Sequence, residues 1–326
     1  MSLRLEMLQV ARLARKVLGD SAELSHRFLL GQVNGDGGFK DRAGNSDLYY
    51  TVFGLQALAA LANQNPESNP DNHQTVGLTL DFRNEITQAK HYLESFGRGE
   101  GLDFVHLCCL ARCWAAVSSP FSTVASHSDR FGILERLETW RSEDGGYNPV
   151  KGTPFGTAYG AFLALGAYQD CGAMLREPLR LVQSLKHLET PDGAWANERL
   201  SRLPTPANLH SQGATNATAA AVTVLRNLGQ PLNPAVGDWL RARAHDQGGF
   251  LATPATPMPD LLSTATALHA LAGLEISLSA VADQCLDFVD SLWTNEGGFY
   301  GHWGDDHLDC EYTFYGLLAL GHLSMY

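Results

Sequence analysis

Residues 37–61 read GGFKDRAGNSDLYYTVFGLQALAAL and contain the pattern that decides the fold. Two glycines and an aromatic residue precede a short polar stretch, and a run that is apolar on nearly every side follows. Glycines suit a turn that needs positive φ and a close approach between backbones. A helix that is apolar on every face must be buried on every face. This stretch therefore predicts a tight turn that leads into an internal helix.

The same pattern recurs along the chain. Gly-Gly-aromatic triplets, with Gly-Ala-Trp as a variant, end at Phe39, Tyr147, Trp195, Phe250 and Phe299. Successive aromatic residues are 108, 48, 55 and 49 positions apart, so the first interval is close to two periods. We place the missing copy near residues 101–102, because the segment after it is as apolar as the others. The spacing predicts six copies of one repeat.

Each repeat combines two kinds of helical pattern. An amphipathic stretch such as residues 133–142 (ILERLETWRS) precedes the turn, and an apolar stretch such as residues 157–168 (TAYGAFLALGAY) follows it. Six such hairpins closing on themselves predict an all-α fold, an α/α toroid with inner and outer helix rings. Small residues recur at one place in the inner helices, for which we expect close packing of neighbours; they are Gly54, Gly160, Ala221 and Gly316.

We expect one domain over residues 1–326, with an N-terminal helix at about residues 1–20 packed on the repeat array. The polar, Pro- and Asn-rich stretches 63–76 and 201–212 are interpreted as insertions between helices. No stretch is long and apolar enough to predict a transmembrane helix, and the N-terminus does not resemble a signal peptide.

Composition narrows the classes of function. Hydrophobic residues make up 44% of the 326 residues and charged residues 18%, as in a folded protein with a large core. The net charge of −12 and the lack of Lys/Arg-rich runs argue against nucleic-acid binding and against attraction to anionic membranes. Six scattered cysteines suit a reducing compartment, so we expect a cytoplasmic protein.

Acidic residues mark the entrances of the inner helices. We align the copies on the residues Thr51, Leu107, Thr157, Thr218, Thr264 and Thr313. Four residues earlier, four of the six copies carry an aspartate: Asp47, Asp103, Asp260 and Asp309. Aspartate is a favoured N-cap and its charge suits the helix dipole, so capping is the simplest interpretation.

A six-membered helix ring either fills its axis with side chains or leaves a pocket. The inner segments carry many aromatic residues that could line such a pocket or could be ordinary core: Tyr49, Phe53, Trp114, Tyr159, Phe162, Phe314 and Tyr315.

The repeats resemble those of protein prenyltransferase β-subunits and terpene (squalene/hopene) cyclases. The first copy is similar to the prenyltransferase pattern GGF-x-DR-x-G followed by D-x-x-H-T, and PDGAW at residues 191–195 resembles the Q-W repeat of the cyclases. The resemblance covers about residues 22–326 and implies an apolar central cavity that binds a prenyl chain. The residues expected to contact that ligand are Arg42, Tyr49, Tyr50, Phe53, Asp103, His106, Trp114, Tyr159, His302 and Phe314.

The resemblance to the prenyltransferases leaves out their zinc site. That family holds zinc by D-x-C in the penultimate copy and by a histidine in the last, and the matching positions here are Asp260, Leu262 and Tyr312. Leucine cannot ligate zinc and neutral tyrosine is a poor ligand, so we expect no zinc and no other cofactor.

The diphosphate site of the prenyltransferases is also incomplete. Arg42 matches the family's arginine, but Asn45 stands where a lysine would follow, and the last copy has His302 and Asp305. A conventional prenyltransferase would also need a partner α-subunit.

The class II cyclases instead carry D-x-D-D at this helix entrance, and its middle aspartic acid protonates an alkene or epoxide. The best match is residues 309–313 (DCEYT), which makes Glu311 the candidate proton donor, with Asp309 and Tyr312 beside it as candidate catalytic residues. The other copies have non-acidic residues at the aligned donor position: Tyr49, Val105, Phe155, Asn216 and Leu262. A glutamate in the first turn of a helix is also favoured by the helix dipole alone.

Two further sets of polar residues each allow two interpretations, one structural and one functional. Residues 302–311 concentrate histidine and carboxylate side chains that could bind a divalent metal or could form a solvated rim. Asp103 and His106 lie one helical turn apart, and a helix-entrance pair is favoured there over an acid/base pair.

Three functions therefore remain, since the common hydrolase and nucleotide-binding motifs are missing from the sequence. The favoured one is a protein that binds an isoprenoid in its central cavity. The alternatives are a zinc-independent class II cyclase that uses Glu311, and a non-catalytic scaffold whose axis is plugged by its own aromatics. An open cavity with an acid would favour the enzyme.

Overall fold

The computed structural model describes residues 1–62, 82–118, 127–199 and 212–326, with the backbone alone at 127–130. The predicted insertion at 63–76, and all of the one at 201–212 except Gln212, lie outside these ranges. Six inner helices form a closed ring in which each contacts the next and the last contacts the first, so the predicted α/α toroid is confirmed. They are α4 (Leu48–Leu61), α6 (Phe104–Val117), α8 (Ala158–Asp170), α10 (Thr215–Asn227), α12 (Leu261–Gly273) and α14 (Cys310–Leu323).

The outer helices pack on the outside of this ring. They are α3 (Ser21–Gly31), α5 (Arg83–Glu94), α7 (His127–Glu138), α9 (Pro178–Lys186), α11 (Ala235–Arg241) and α13 (Ala282–Leu292). The inner helices are buried on most sides, whereas each outer helix whose side chains are described buries one stripe. This division is the one that the two hydrophobic patterns predict.

The glycine turn of the first repeat packs against the outer helix of the next repeat. Gly37 has a φ of 91°, and a Cβ there would lie 2.2 Å from the carbonyl oxygen of Gln88 on α5. The backbone N–H of Phe39 donates to Thr51 Oγ1 at 2.9 Å. Phe39 also begins the short strand β1 (Phe39–Lys40), which pairs antiparallel with β2 (Ser46–Asp47). The turn therefore fixes the polar loop that leads into α4.

The small residues of the inner helices make room for the aromatic residue of their own turn. A Cβ at Gly54 would lie 2.0 Å from Cδ1 of Phe39, and one at Gly316 would lie 2.7 Å from Cγ of Phe299. The contact we expected with neighbouring helices is thus, at these two positions, a contact within the repeat.

All four helix-entrance aspartates are N-caps, as predicted. Asp47, Asp103, Asp260 and Asp309 each accept hydrogen bonds from backbone N–H groups of the first helical turn. The alignment of the third copy is wrong, however, because Thr157 is itself the N-cap of α8 and accepts from the N–H of Gly160. The residue that corresponds to Glu311 in this copy is therefore Tyr159 and not Phe155.

The N-terminal segment closes one end of the ring. It forms two helices, α1 (Leu3–Ala11) and α2 (Ala14–Leu18), instead of one, and α1 packs against α4, α8 and α14. Arg4 and Arg15 bond to groups at the C-terminal ends of α8 and α4.

The cysteines, all within the described ranges, form no disulfide. Among the described helices, none combines the length and apolar character needed to cross a membrane.

Candidate active site

The inner ring encloses a cavity of about 500 Å³ along its axis. Six of the seven aromatic residues singled out from the sequence line it: Tyr49, Phe53, Tyr159, Phe162, Phe314 and Tyr315. Tyr159, which is 36% exposed, lines the cavity at the N-terminal ends of the inner helices. Met7 of α1 lines the opposite end. The axis is therefore an open apolar pocket, which argues against the plugged scaffold.

The aromatic side chains concentrate where α4 meets α14. The Phe53 ring lies 4.9 Å from Tyr49, 5.8 Å from Phe314 and 5.4 Å from Tyr315, measured between ring centroids. Aromatic faces carry a negative quadrupole and attract cations. This part of the wall can therefore stabilise a positive charge on a bound hydrocarbon chain.

Two of the aromatic residues expected to contact the ligand, Trp114 and Tyr50, do not line the cavity. Trp114 is half-buried and packs against the core, and Tyr50 packs beside the ring of Tyr49 at 5.7 Å. The sequence could not separate these residues from the lining ones, because the apolar inner helices offer no polar face that marks the direction of the axis.

Glu311 is held next to the cavity wall by Tyr49. Each is the second residue of its helix, and Tyr49 Oη donates to Glu311 Oε1 at 2.6 Å. Tyr49 lines the cavity and Glu311 does not, so the carboxyl group lies directly behind the aromatic part of the wall, in contact with the Tyr49 hydroxyl. The pair forms only because the ring closes α14 against α4.

The environment of Glu311 keeps its acid form available at neutral pH. Burial raises the pKa of Glu311, Tyr49 and Arg42 oppose that rise, Asp309 adds to it, and the result is a pKa of about 7. A carboxyl group with such a pKa can both donate a proton and recover it from water near neutrality.

Asp309, Arg42 and Asp305 form an ion-paired cluster behind Glu311. Arg42 Nε donates to Asp309 Oδ2 and Arg42 Nη2 to Asp305 Oδ2, both at 2.9 Å. The Arg42 guanidinium also lies 5.4 Å from the centre of the Tyr312 ring. Burial alone would lower the pKa of Arg42, but its bonds to the two carboxylates raise it.

This cluster changes the role expected for Arg42. Two carboxylates already balance its charge, so Arg42 is poorly suited to a diphosphate. It instead fixes Asp309, whose other oxygen accepts from the backbone N–H of Tyr312 at 2.8 Å. Asp309 and Tyr312 thus support the helix turn that carries Glu311, and neither lines the cavity.

His106 connects two helix entrances. Its Nδ1 lies 2.8 Å from Asp103 Oδ2 and its Nε2 lies 3.0 Å from Asp47 Oδ2. The bond to Asp47 raises the pKa of His106, burial opposes it and Asp103 adds to it, giving a pKa of about 9. Asp103 and His106 are thus a charged clamp between α4 and α6, and neither of them lines the cavity.

The residues at the zinc position of the prenyltransferases do not fit a metal. The two oxygens of Asp260 accept from the N–H and the hydroxyl of Ser263, both at 2.7 Å. Leu262 has no ligand atom and lines the cavity, and the Tyr312 ring packs on Gly301.

The polar loop 302–311 lies outside the cavity. His302 Nδ1 accepts from the N–H of Gly304 at 3.1 Å and stabilises a turn. Possible ligand atoms of Asp305, Asp306 and His307 lie within 4.8 Å of one another, but Asp305 is taken up by Arg42.

Sequence reasoning missed the polar residues at the closed end of the cavity. This end is lined by Gln56, Arg112, Thr223 and His269. Each lies seven positions after a residue that lines the cavity near the N-terminal end of the same helix, which we call its mouth residue: Tyr49, Val105, Asn216 and Leu262. A polar residue at that interval inside an otherwise apolar helix was the available signal, since residues two helical turns apart share a face.

Fold and site together define an α/α toroid with an apolar cavity and a half-buried acid beside it. The sequence model of the prenyltransferase alpha-alpha toroid domain matches residues 5–93 and 217–325, and the chain belongs to this family. A sequence search of curated proteins gives no match.

Solved structures share the fold at low sequence identity. A variant of the type II terpene cyclase MstE from Scytonema, in complex with its product merosterolic acid A, aligns with a TM-score of 0.60 at 14% identity, over 96% of this chain and 97% of its own. The protein geranylgeranyltransferase-I of Candida albicans, complexed with GGPP, aligns with a TM-score of 0.60 at 14% identity, over 93% of this chain and 90% of its own. At such identities the likeness concerns the fold alone.

Proposed function

We propose that the protein is a zinc-independent, class II cyclase-like enzyme that binds an isoprenoid in its central cavity and protonates it from Glu311. The observation that carries the proposal is the Glu311–Tyr49 pair, a half-buried carboxyl group with a pKa near neutrality beside an aromatic-lined cavity. Two fold neighbours, the terpene cyclase with its product and the transferase with GGPP, hold isoprenoid compounds in their structures, which supports the same class of ligand here.

The proposed reaction is a proton-initiated isomerisation. Tyr49 occupies Oε1 of Glu311, so the acidic proton sits on Oε2 and passes to the methine carbon of the terminal, dimethyl-substituted double bond. The remaining carbon of that double bond becomes a cation, which the next double bond of the chain attacks to form a ring. The last cation loses a proton to water, and Glu311 regains one, so substrate and product have the same mass.

The cavity wall contributes to this chemistry in two ways. Its apolar lining excludes water that would quench the cation early. The rings of Phe53, Phe314 and Tyr315 present aromatic surface to the positive charge as it moves along the chain.

The cyclase reading is better supported than a prenyltransferase reading. The zinc position has a leucine in place of the thiolate, and the arginine that would meet a diphosphate is paired with Asp305 and Asp309. We therefore propose that activity needs no zinc. Full activity after dialysis against a zinc chelator is the expected result, and loss of activity that zinc restores would contradict it.

The direct test is cyclisation in deuterated water. Purified protein is incubated in D₂O with farnesyl and geranylgeranyl compounds and with squalene, and products are analysed by gas chromatography and mass spectrometry. Cyclic products that carry one deuterium from solvent at the protonated carbon are expected. The Glu311→Gln variant should form none, while Glu296→Gln, a change of an exposed turn residue, should match the unaltered protein. Equal turnover by Glu311→Gln would refute the assignment.

A further inference from the structure

The closed end of the cavity differs in chemistry from its mouth. At the mouth level the lining consists of aromatic, aliphatic and amide side chains, whereas the closed end has a guanidinium, an imidazole, an amide and a hydroxyl group. Thr223 satisfies its hydroxyl within α10 by donating to the carbonyl of Ala219. The other three, Gln56, Arg112 and His269, are the groups available to a ligand.

Arg112 brings a positive charge that its partners do not fully balance. Its Nε donates to Asp170 Oδ2 at 3.1 Å, but Asp170 Oδ1 also accepts from Arg4 Nε at 3.0 Å. The Asp170 side chain is 1% exposed, so two guanidinium groups share one buried carboxylate. The bond to Asp170 uses Nε of Arg112 and none of its Nη groups. A buried net charge of this kind is costly unless an opposite charge meets it.

The neighbouring helix leaves room for the guanidinium. A Cβ at Gly166 of α8 would lie 2.5 Å from Arg112 Nη2, and the Phe162 ring lies 5.9 Å from the guanidinium carbon. Gly166 stands seven positions after the mouth residue Tyr159, at the same level as Gln56. The glycine therefore allows Arg112 to remain in the cavity wall.

Gln56 and His269 add unpaired polar atoms at this level. Gln56 is 2% exposed, and in the described part of the chain its Oε1 has no hydrogen-bond partner. The two ends of a glutamine amide have nearly the same shape, so rotation of the amide presents its NH₂ group instead.

The imidazole of His269 lines the closed end and lies between His322 and Glu6. Its Nδ1 lies 3.0 Å from His322 Nε2, and its Nε2, which lacks a hydrogen-bond partner among the described residues, lies 3.8 Å from Glu6 Oε1. Burial lowers the pKa of both imidazoles and keeps them neutral. With Glu6 facing Nε2, the tautomer that places the hydrogen on Nε2 is favoured.

We infer that the closed end binds the carboxylate of an isoprenoid acid, so that the substrate enters head first and presents its alkene end to Glu311. This inference rests on the proposed function. A carboxylate carries one negative charge, which matches the one unbalanced positive charge, and its two oxygens match the paired Nη groups of a guanidinium. A diphosphate carries more negative charge than this end of the cavity offers.

Binding measurements separate the head-group preference from turnover. Geranylgeranoic acid, its methyl ester and geranylgeraniol are titrated at pH 8 into full-length Glu311→Gln protein by isothermal calorimetry. We expect the acid to bind roughly tenfold or more tightly than the ester, since hydrogen bonds to a charged group are the stronger class.

Two variants locate that preference. Gln56→Leu removes an unpaired buried amide, so the fold should tolerate it, and Arg112→Gln removes the charge. Both should reduce the ratio of acid to ester affinity several-fold, while Gln247→Leu, at an exposed turn, should leave it unchanged. The ratio is insensitive to a general loss of folded protein, which would weaken both ligands equally.

The outcomes also separate this inference from the proposed function. Equal affinities for acid and ester, or a ratio that neither variant changes, would overturn the carboxylate site even if the D₂O experiment yields cyclic products. A clear acid preference without any cyclisation would support the site and count against Glu311 as the proton donor.

Discussion

At the level of a single residue, the burial of Glu311 has two opposite effects, one on its chemistry and one on the stability of the folded protein. Burial beside the cavity keeps its proton available near pH 7, but the same burial penalises the carboxylate form. The acid is therefore useful to chemistry and unfavourable to the folded state at alkaline pH. That conflict can be measured without knowing the substrate.

Replacing Glu311 with glutamine should stabilise the protein at high pH. Because the folded pKa of about 7 is raised above the ordinary 4.5, the unfolded chain loses its proton first, and the native state loses stability as pH rises from about 4.5 to about 7. Glu311→Gln removes this titration and should gain on the order of 3 kcal/mol at pH 8, and little at pH 4.5. Urea unfolding at both pH values checks this, and Glu296→Gln should show no such pH-dependent gain.

Tyr49→Phe should shift the titration of Glu311 upward. The tyrosine hydroxyl donates to the carboxyl group and so lowers its pKa, and the phenylalanine ring keeps the shape of the wall. Carbon-13 NMR of labelled glutamate should show the pKa of Glu311 above that of the unaltered protein. Cyclisation should persist, with its pH profile moved in the same direction. Complete loss of turnover would instead show that the proton passes through Tyr49.

Among single residues, the sequence predicts those whose role depends on neighbours close in the chain. The four capping aspartates and the unique acid at position 311 follow from repeat alignment and helix-entrance chemistry. The partners of Arg42 could not be predicted, because Asp305 and Asp309 lie more than 260 positions away and meet it only when the ring closes.

At the level of elements, the N-terminal ends of the inner helices bring polar side chains of different helices into contact. The caps of α4 and α6 lie close enough for His106 to bond both of them, so two like charges are held together by one imidazolium. The clamp fixes the relative position of two inner helices that both line the cavity. Its strength depends on the protonation of His106.

His106→Ala should destabilise the protein in a pH-dependent way. A folded pKa of about 9, raised above 6.5, means that the stabilisation is complete below pH 6.5 and is lost as pH rises through about 9. We expect a loss of about 1–2 kcal/mol at pH 6, allowing for partial exposure of the pair, and a smaller difference at pH 9.5. Thermal unfolding at the two pH values tests this. His91→Ala, on the exposed face of α5, is the matched control and should change little.

The elements themselves were largely predictable, and the exceptions have physical causes. Periodic apolar residues and glycine turns predict both helix rings. The alignment misplaces the register of the third copy because threonine occurs in two roles: Thr157 is itself an N-cap, whereas Thr51 lies four positions after the N-cap Asp47. Residue type alone does not separate the two roles.

Closure of the ring is the main property of the whole molecule. The last glycine turn meets the first outer helix, since a Cβ at Gly297 would lie 2.3 Å from the backbone of Leu24 on α3. The same kind of contact joins consecutive repeats elsewhere, as at Gly37. The contact between the last and first repeats, at Gly297 and Leu24, which we call the seam, is therefore of the same kind as the contact between consecutive repeats at Gly37.

Two glycine substitutions measure how much this seam contributes. Gly297 and Gly193 have similar positive φ values of 95° and 85°, but nothing lies within 4 Å of a Cβ at Gly193. Gly193→Ala should cost about 1–2 kcal/mol, from backbone strain alone. Gly297→Ala should cost several kcal/mol, because the methyl group also forces α3 away. Equal losses in urea unfolding would show that the seam contributes little.

The closed ring also has a consequence for the order in which the protein becomes functional during translation. Helix α14 follows every other helix of the ring in the chain, and it supplies both the closing contact with α4 and the acid that Tyr49 holds. Until the ribosome has released this segment, the earlier repeats have an open edge and no proton donor next to an aromatic wall. For the enzyme proposed above, the nascent chain is therefore inactive, and activity begins with the same event that completes the fold.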